Sequence, residues 1–112
     1  MITAEQIQTG IIQARAEATK FFYERLGGVD QFACGFGWTE VYVDRTNSKQ
    51  AKELIRAGFR KDYKPKCLTL WDPAGLPVQN VDVKAVGADA LATYLQALGL
   101  KAYGCSLSLI HI

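Results

Sequence analysis

Apolar positions in the first quarter of the chain recur at helical spacing. Ile7, Ile11, Ala14, Ala18, Phe21 or Phe22 and Leu26 fall on one face, with polar side chains between them. Thr3 followed by Gln6 has the form of a capping box, and Gly27-Gly28 supply a stop, so a helix over 3–26 is predicted. The period then changes to two. Residues 32–43, FACGFGWTEVYV, alternate between a bulky set (Cys34, Phe36, Trp38, Glu40, Tyr42) and a small set (Ala33, Gly35, Gly37, Thr39, Val41, Val43), the two faces of a strand. Alternate glycines weaken a strand unless another element approaches its backbone closely. A helix on the small face is the expected partner, which leaves the aromatic face for a second layer, a subunit or a ligand.

Asn47 or Ser48 can cap a short second helix with Ala51, Leu54 and Ile55 inward and Gly58 past its end. FRKDY and CLTLW then read as a hairpin joined at Lys64-Pro65-Lys66, with Tyr63 opposite Cys67 and Phe59 opposite Trp71. A loop punctuated by proline and glycine, Asp72 to Pro77, leads through Val78–Val81 to a helix starting near Asp82. Val86, Ala90, Leu91, Tyr94, Leu95 and Leu98 form its stripe, Gly99 ends it, and a strand over 100–105 follows. After the first helix the order is β-α-β-β-α-β, which predicts an α+β fold, a ferredoxin-like split βαβ sandwich preceded by an extra N-terminal helix. That helix is expected across the open sheet face or in a dimer. No repeat or linker divides the chain.

Composition bounds the function without naming it. An apolar fraction of 49% and a charged fraction of 21% are those of a globular protein, and 112 residues support one core. Thirteen basic and eleven acidic residues leave a charge of only +2, so any polyanion site must be local. No apolar run reaches the roughly 20 residues that span a bilayer, and the start, MITAEQIQ, lacks a signal pattern, so a cytoplasmic protein with no membrane partner is expected. Cys34, Cys67 and Cys105 have no metal or disulfide spacing and read as buried free thiols.

The words ACGFGW (33–38), GFRKDY (58–63), LWDPAGLPVQNVDVK (70–84), and GADAL (87–91) followed by GLKAYGCS (99–106) occur in an order that resembles a family of short, uncharacterised tailed-phage proteins, over most of residues 1–106. The resemblance implies phage origin and hence a host-cell cytoplasmic setting; it brings no activity with it. That family has asparagine where Asp72 stands and an Arg-Leu-Asp tail after the serine at Ser106. Here Leu107–Ile112 instead resembles a translated transposon-end adapter of sequencing libraries, so residues 1–106 are expected to be the single domain and 107–112 a non-native, dispensable artefact. His111, the only histidine, lies in that segment, which removes the one candidate for a histidine base or ligand.

The remaining residues offer binding chemistry more readily than catalysis. GFGW lies inside a strand, not at a helix start, so it does not form a phosphate loop. Glu40 interrupts the aromatic face and, if buried, needs Lys61, Arg60 or a ligand hydroxyl as partner; at a wet end of the face it needs none. Phe36, Trp38 and Tyr42 with Tyr63 and Trp71 form either a stacking platform, beside the cations Arg45, Arg60, Lys61, Lys64 and Lys66, or a core or dimer interface. The loop Asp72–Asn80 is long, and Gln79 and Asn80 carry amides suited to a base edge, while Asp82 reads as a helix cap.

These features point to a small binding protein that sequesters a nucleotide-like ligand, a host-defence signal being one such ligand, without turning it over. Its ligand-binding set is Trp38, Glu40, Tyr42, Arg60, Lys64, Lys66, Trp71 and Asn80, with no catalytic residue, metal or cofactor assigned. The alternatives are a nucleic-acid-binding or host-protein-directed accessory protein and, least favoured, a histidine-free enzyme using Glu40 or Asp72. The aromatic face also predicts a homodimer or larger assembly.

Overall fold

Capping and glycine stops place the helices close to where periodicity predicts them. The computed structural model describes residues 1–109. Helix α1 spans Ala4–Leu26; Thr3 Oγ1 accepts from the Gln6 N–H, Gln6 Oε1 accepts from the Thr3 N–H, and Gly27 closes the helix at φ 65°. There follow β1 (Gly35–Tyr42), α2 (Lys49–Arg56, capped by Ser48), β2 (Arg60–Lys61), β3 (Cys67–Trp71), α3 (Val81–Ala97) and β4 (Lys101–Ser108). The strands form one sheet in the order β2-β3-β1-β4, with every neighbouring pair antiparallel, so the chain is an α+β domain. Among the described residues no helix is long and apolar enough to cross a membrane.

The small face of β1 is where α3 lies. A Cβ on Gly37 would stand 2.6 Å from the Lys84 carbonyl oxygen, and one on Gly35 would meet the Val81 side chain. Thr39, fully buried on the same face, donates its hydroxyl to the Ala88 carbonyl at 2.8 Å. Val41, Leu68 and Ala102 from the sheet join Leu54 of α2 and Leu91 and Leu95 of α3 in the main core. Helix α1 completes that core from the helical side. Its Ile7, Ile11 and Ala14 are buried there, the Ala4 N–H donates to Glu53 of α2, and Gly10 lets the Tyr94 ring of α3 lie against the helix. The first helix therefore does not cross the aromatic sheet face, because its apolar stripe is consumed by α2, α3 and the loop before α3.

Four further expectations are corrected. The hairpin pairs Arg60 with Thr69 and Lys61 with Leu68, one residue out of the predicted register. Asp62 accepts from the Tyr63 N–H and Lys66 takes a left-handed φ of 58°, so the turn uses four residues, and the slip sends Phe59 into the core and leaves Tyr63 in solvent. Asn80, not Asp82, caps helix α3, and Asp82 lies in its first turn. Strand β1 begins at Gly35, later than the predicted 32. Strand β4 runs past Ser106: Leu107 pairs with Phe36, Ser108 with Gly35, and the Leu109 N–H donates to the Cys34 carbonyl. Residues 107–109, expected from sequence to be dispensable, thus extend the sheet; His111 lies outside the described residues.

Candidate functional site

Alternation along three strands puts one set of side chains on the sheet face opposite the helices. Register aligns Trp71, Trp38 and Cys105 in one row, Arg60, Thr69, Glu40 and Tyr103 in the next, and Cys67, Tyr42 and Lys101 in a third, with Phe36 and Leu107 at the end nearest Trp71. Trp71 is 59% exposed, Tyr103 51%, Phe36 45% and Leu107 45%. The Trp38 and Trp71 rings lie 4.8 Å apart and tilted, Phe36 meets Trp71 edge-on at 6.4 Å, and Tyr42 meets Tyr103 edge-on at 5.9 Å. The Lys84 ammonium sits 5.6 Å from the Phe36 ring centre. A cleft of about 290 Å³ at the end of β1 is lined by Tyr42, Asp44, Ser48, Gln50 and Lys101.

Glu40 is the centre of this face and is only 4% exposed. Lys64 Nζ donates to it at 2.8 Å, Trp38 Nε1 at 3.1 Å and the Tyr42 hydroxyl at 3.1 Å. Burial pushes the carboxyl up, but these hydrogen bonds and the Lys64 charge together outweigh it and hold the group below its usual range. The same contact with Glu40 raises the Tyr42 phenol to about 12 and the Lys64 ammonium above its ordinary value. The partners weighed from sequence were Lys61, Arg60 or a ligand hydroxyl. The register slip puts Lys61 opposite Leu68 on the other face, while the turn brings Lys64 over the sheet. Burial, with the Glu40 and Asp62 carboxylates, pushes the Cys67 thiol up to about 11, and burial raises that of Cys105, so both sulfurs are protonated thiols at neutral pH. Glu40, Asp62 and Cys67 bring possible ligand atoms within 4.8 Å of one another, but a cation entering there would have to displace the Lys64 ammonium and the thiol proton.

Of the residues singled out from sequence, Trp38, Glu40, Tyr42, Arg60, Lys64 and Trp71 share this face. Lys66 sits in the hairpin turn beside it. Asn80 does not share the face: it is 1% exposed, its Oδ1 accepts from the Val83 N–H and its Nδ2 donates to the Gln31 carbonyl, so its amide is spent on the helix cap. The loop leading to it is fastened by Asp30, whose carboxylate accepts from the Gln79 and Asn80 N–H groups. Tyr103 and Lys101 were missed. Their signal was present in the alternation of KAYGCS, whose odd positions had to share a face with Trp38 once this strand paired with the first. Comparison with protein-family models, with curated proteins and with solved structures finds no match.

Proposed function

We propose that the open sheet face is a stacking platform that captures a nucleotide-like ligand without turning it over. The observation that carries this reading is the exposed Trp71 ring, backed by Trp38 and flanked by Phe36, on a face that also presents Arg60, Lys64 and Lys101. An aromatic shelf offers every base a π-face, and neighbouring cations meet its phosphates. Protonated Cys67 and Cys105 thiols, and a Glu40 carboxylate saturated by three donors, favour holding over attacking a ligand. The strand order β2-β3-β1-β4 with antiparallel neighbours supports a ferredoxin-like split βαβ sandwich, whose helix-free face is free for such a role. The phage resemblance supports a setting in the host cytoplasm, where signal nucleotides of host defence are one class of ligand with this chemistry.

A second reading is favoured by the apolar share of the same face. Phe36, Leu107 and Trp71 are all exposed along one end of it, where a second copy of the chain could dock. A thermal-shift screen with cyclic and linear nucleotides and a short oligonucleotide, beside light scattering, separates the cases. A ligand at one hundred times its Kd stabilises by about 2.7 kcal/mol, a readily measured rise in Tm. A nucleotide that raises Tm and is recovered unchanged supports capture, and its conversion to product refutes it. A salt-sensitive response to the oligonucleotide alone supports nucleic-acid binding. A dimer at micromolar concentration with no ligand response supports the second copy.

A further inference from the structure

Resting on the nucleotide reading, we infer that the face takes two nucleobases joined by a phosphodiester, not one base. Its aromatic side chains form two groups. Phe36, Trp38 and Trp71 make one, and Tyr42 with Tyr103 makes the other. Glu40 separates them along β1, so Trp38 and Tyr42 stand four residues apart, about 13 Å at ~3.3 Å per residue. A base stacked on Trp71 leaves the tyrosine pair bare, whereas two bases linked through one phosphate reach both. The rows between and beside the two groups are where the charge lies. Arg60 pairs with Thr69 at the β2 side, Lys64 Nζ reaches Glu40 in the middle, and Lys101 pairs with Tyr42 at the β4 side. These three cations oppose two carboxylates, Glu40 and Asp62, and Glu40 is already matched by Lys64, so a bridging phosphodiester meets net positive charge.

Two sources carry this chemistry, a free dinucleotide and a stretch of single-stranded nucleic acid. Tryptophan fluorescence titrations of the full chain with adenosine monophosphate, a linear adenylyl dinucleotide and a short oligoadenylate test the inference. The dinucleotide should bind roughly tenfold or more tightly than the mononucleotide, since each stacked base adds about one such factor. Tyr103→Ala should erase that advantage and leave the mononucleotide affinity unchanged, and Tyr103→Phe should restore it, with circular dichroism confirming the fold of both. Oligoadenylate binding that exceeds the dinucleotide and weakens steeply with salt assigns the ligand to a single strand; equal binding assigns it to the free dinucleotide. Equal affinities for mono- and dinucleotide, or a Tyr103→Ala loss that is the same for both, overturns the inference while the platform reading stands. Absence of any response to all three probes overturns both.

Discussion

Replacing Gly37 by alanine probes the contact on which the two-faced sheet depends. The new Cβ would lie 2.6 Å from the Lys84 carbonyl oxygen and 2.8 Å from its carbonyl carbon, whereas ordinary contacts begin near 3.4 Å. Those atoms are backbone, so relief requires α3 to lift by about 0.8 Å, not a side chain to rotate. Lifting α3 also strains the 2.8 Å bond from Thr39 to Ala88. Overpacking of this kind destabilises by about 1–3 kcal/mol, and the absence of a flexible partner places this site in the upper half. The gain of about 0.4–1 kcal/mol from a stiffer unfolded chain offsets only part of it. At about 4–8 °C per kcal/mol, thermal melting followed by circular dichroism should show Tm lower by roughly 5–20 °C. Gly27→Ala is the control: nothing lies within 4 Å of its added Cβ, so only the left-handed φ of 65° is disfavoured, about 1–2 kcal/mol. A Gly37→Ala protein melting within about 2 °C of the wild type would refute the close approach of α3.

Three other outcomes are expected. Glu40 and Glu53 both titrate below the ordinary value of 4.5 in the folded state, Glu53 through the Ala4 N–H and then Arg56, so the stability they give is complete above that value and is lost as pH falls through their folded pKa. Tm measured against pH should therefore drop below about pH 4.5, less steeply in Glu40→Gln, and an identical acid limb in that variant would contradict the Lys64, Trp38 and Tyr42 contacts that hold the carboxylate charged. Asn80→Ala removes a helix cap and strands the Gln31 carbonyl, which predicts a loss of about 1–3 kcal/mol in urea titrations; a loss under about 0.3 kcal/mol would show that the cap is not load-carrying. Truncation after Ser106 cuts the pairing of Leu107 and Ser108 with β1, and a Tm lower by several degrees is expected, whereas an unchanged Tm would support the dispensable tail anticipated from sequence.

What could be read from sequence was decided by local physics. The capping box at Thr3 and Gln6 and the glycine after Leu26 fix α1 without reference to anything distant. Gly35 and Gly37 pointed to a close neighbour because alternate glycines weaken a strand unless something approaches its backbone, and α3 is that neighbour. The destination of α1 was not legible, since an apolar stripe fits equally well against helices or a sheet. The hairpin register was misread because the left-handed turn residue is Lys66, where glycine would have signalled it. That one slip hid the Lys64 partner of Glu40 and misassigned Tyr63. Asn80 looked like a ligand amide because capping and base recognition favour the same side chain, and only its burial separates them.

The measurement closest to the central claim is made on Trp71→Ala, reading affinity for the nucleotide found by screening and thermal stability in the same protein. Trp71 is 59% exposed, so its loss removes little buried area, while stacking contributes about 1–3 kcal/mol per base. The account predicts binding weakened roughly tenfold or more with Tm within a few degrees of the wild type. Unchanged binding together with the loss of about 3–5 kcal/mol typical of a core aromatic would contradict it.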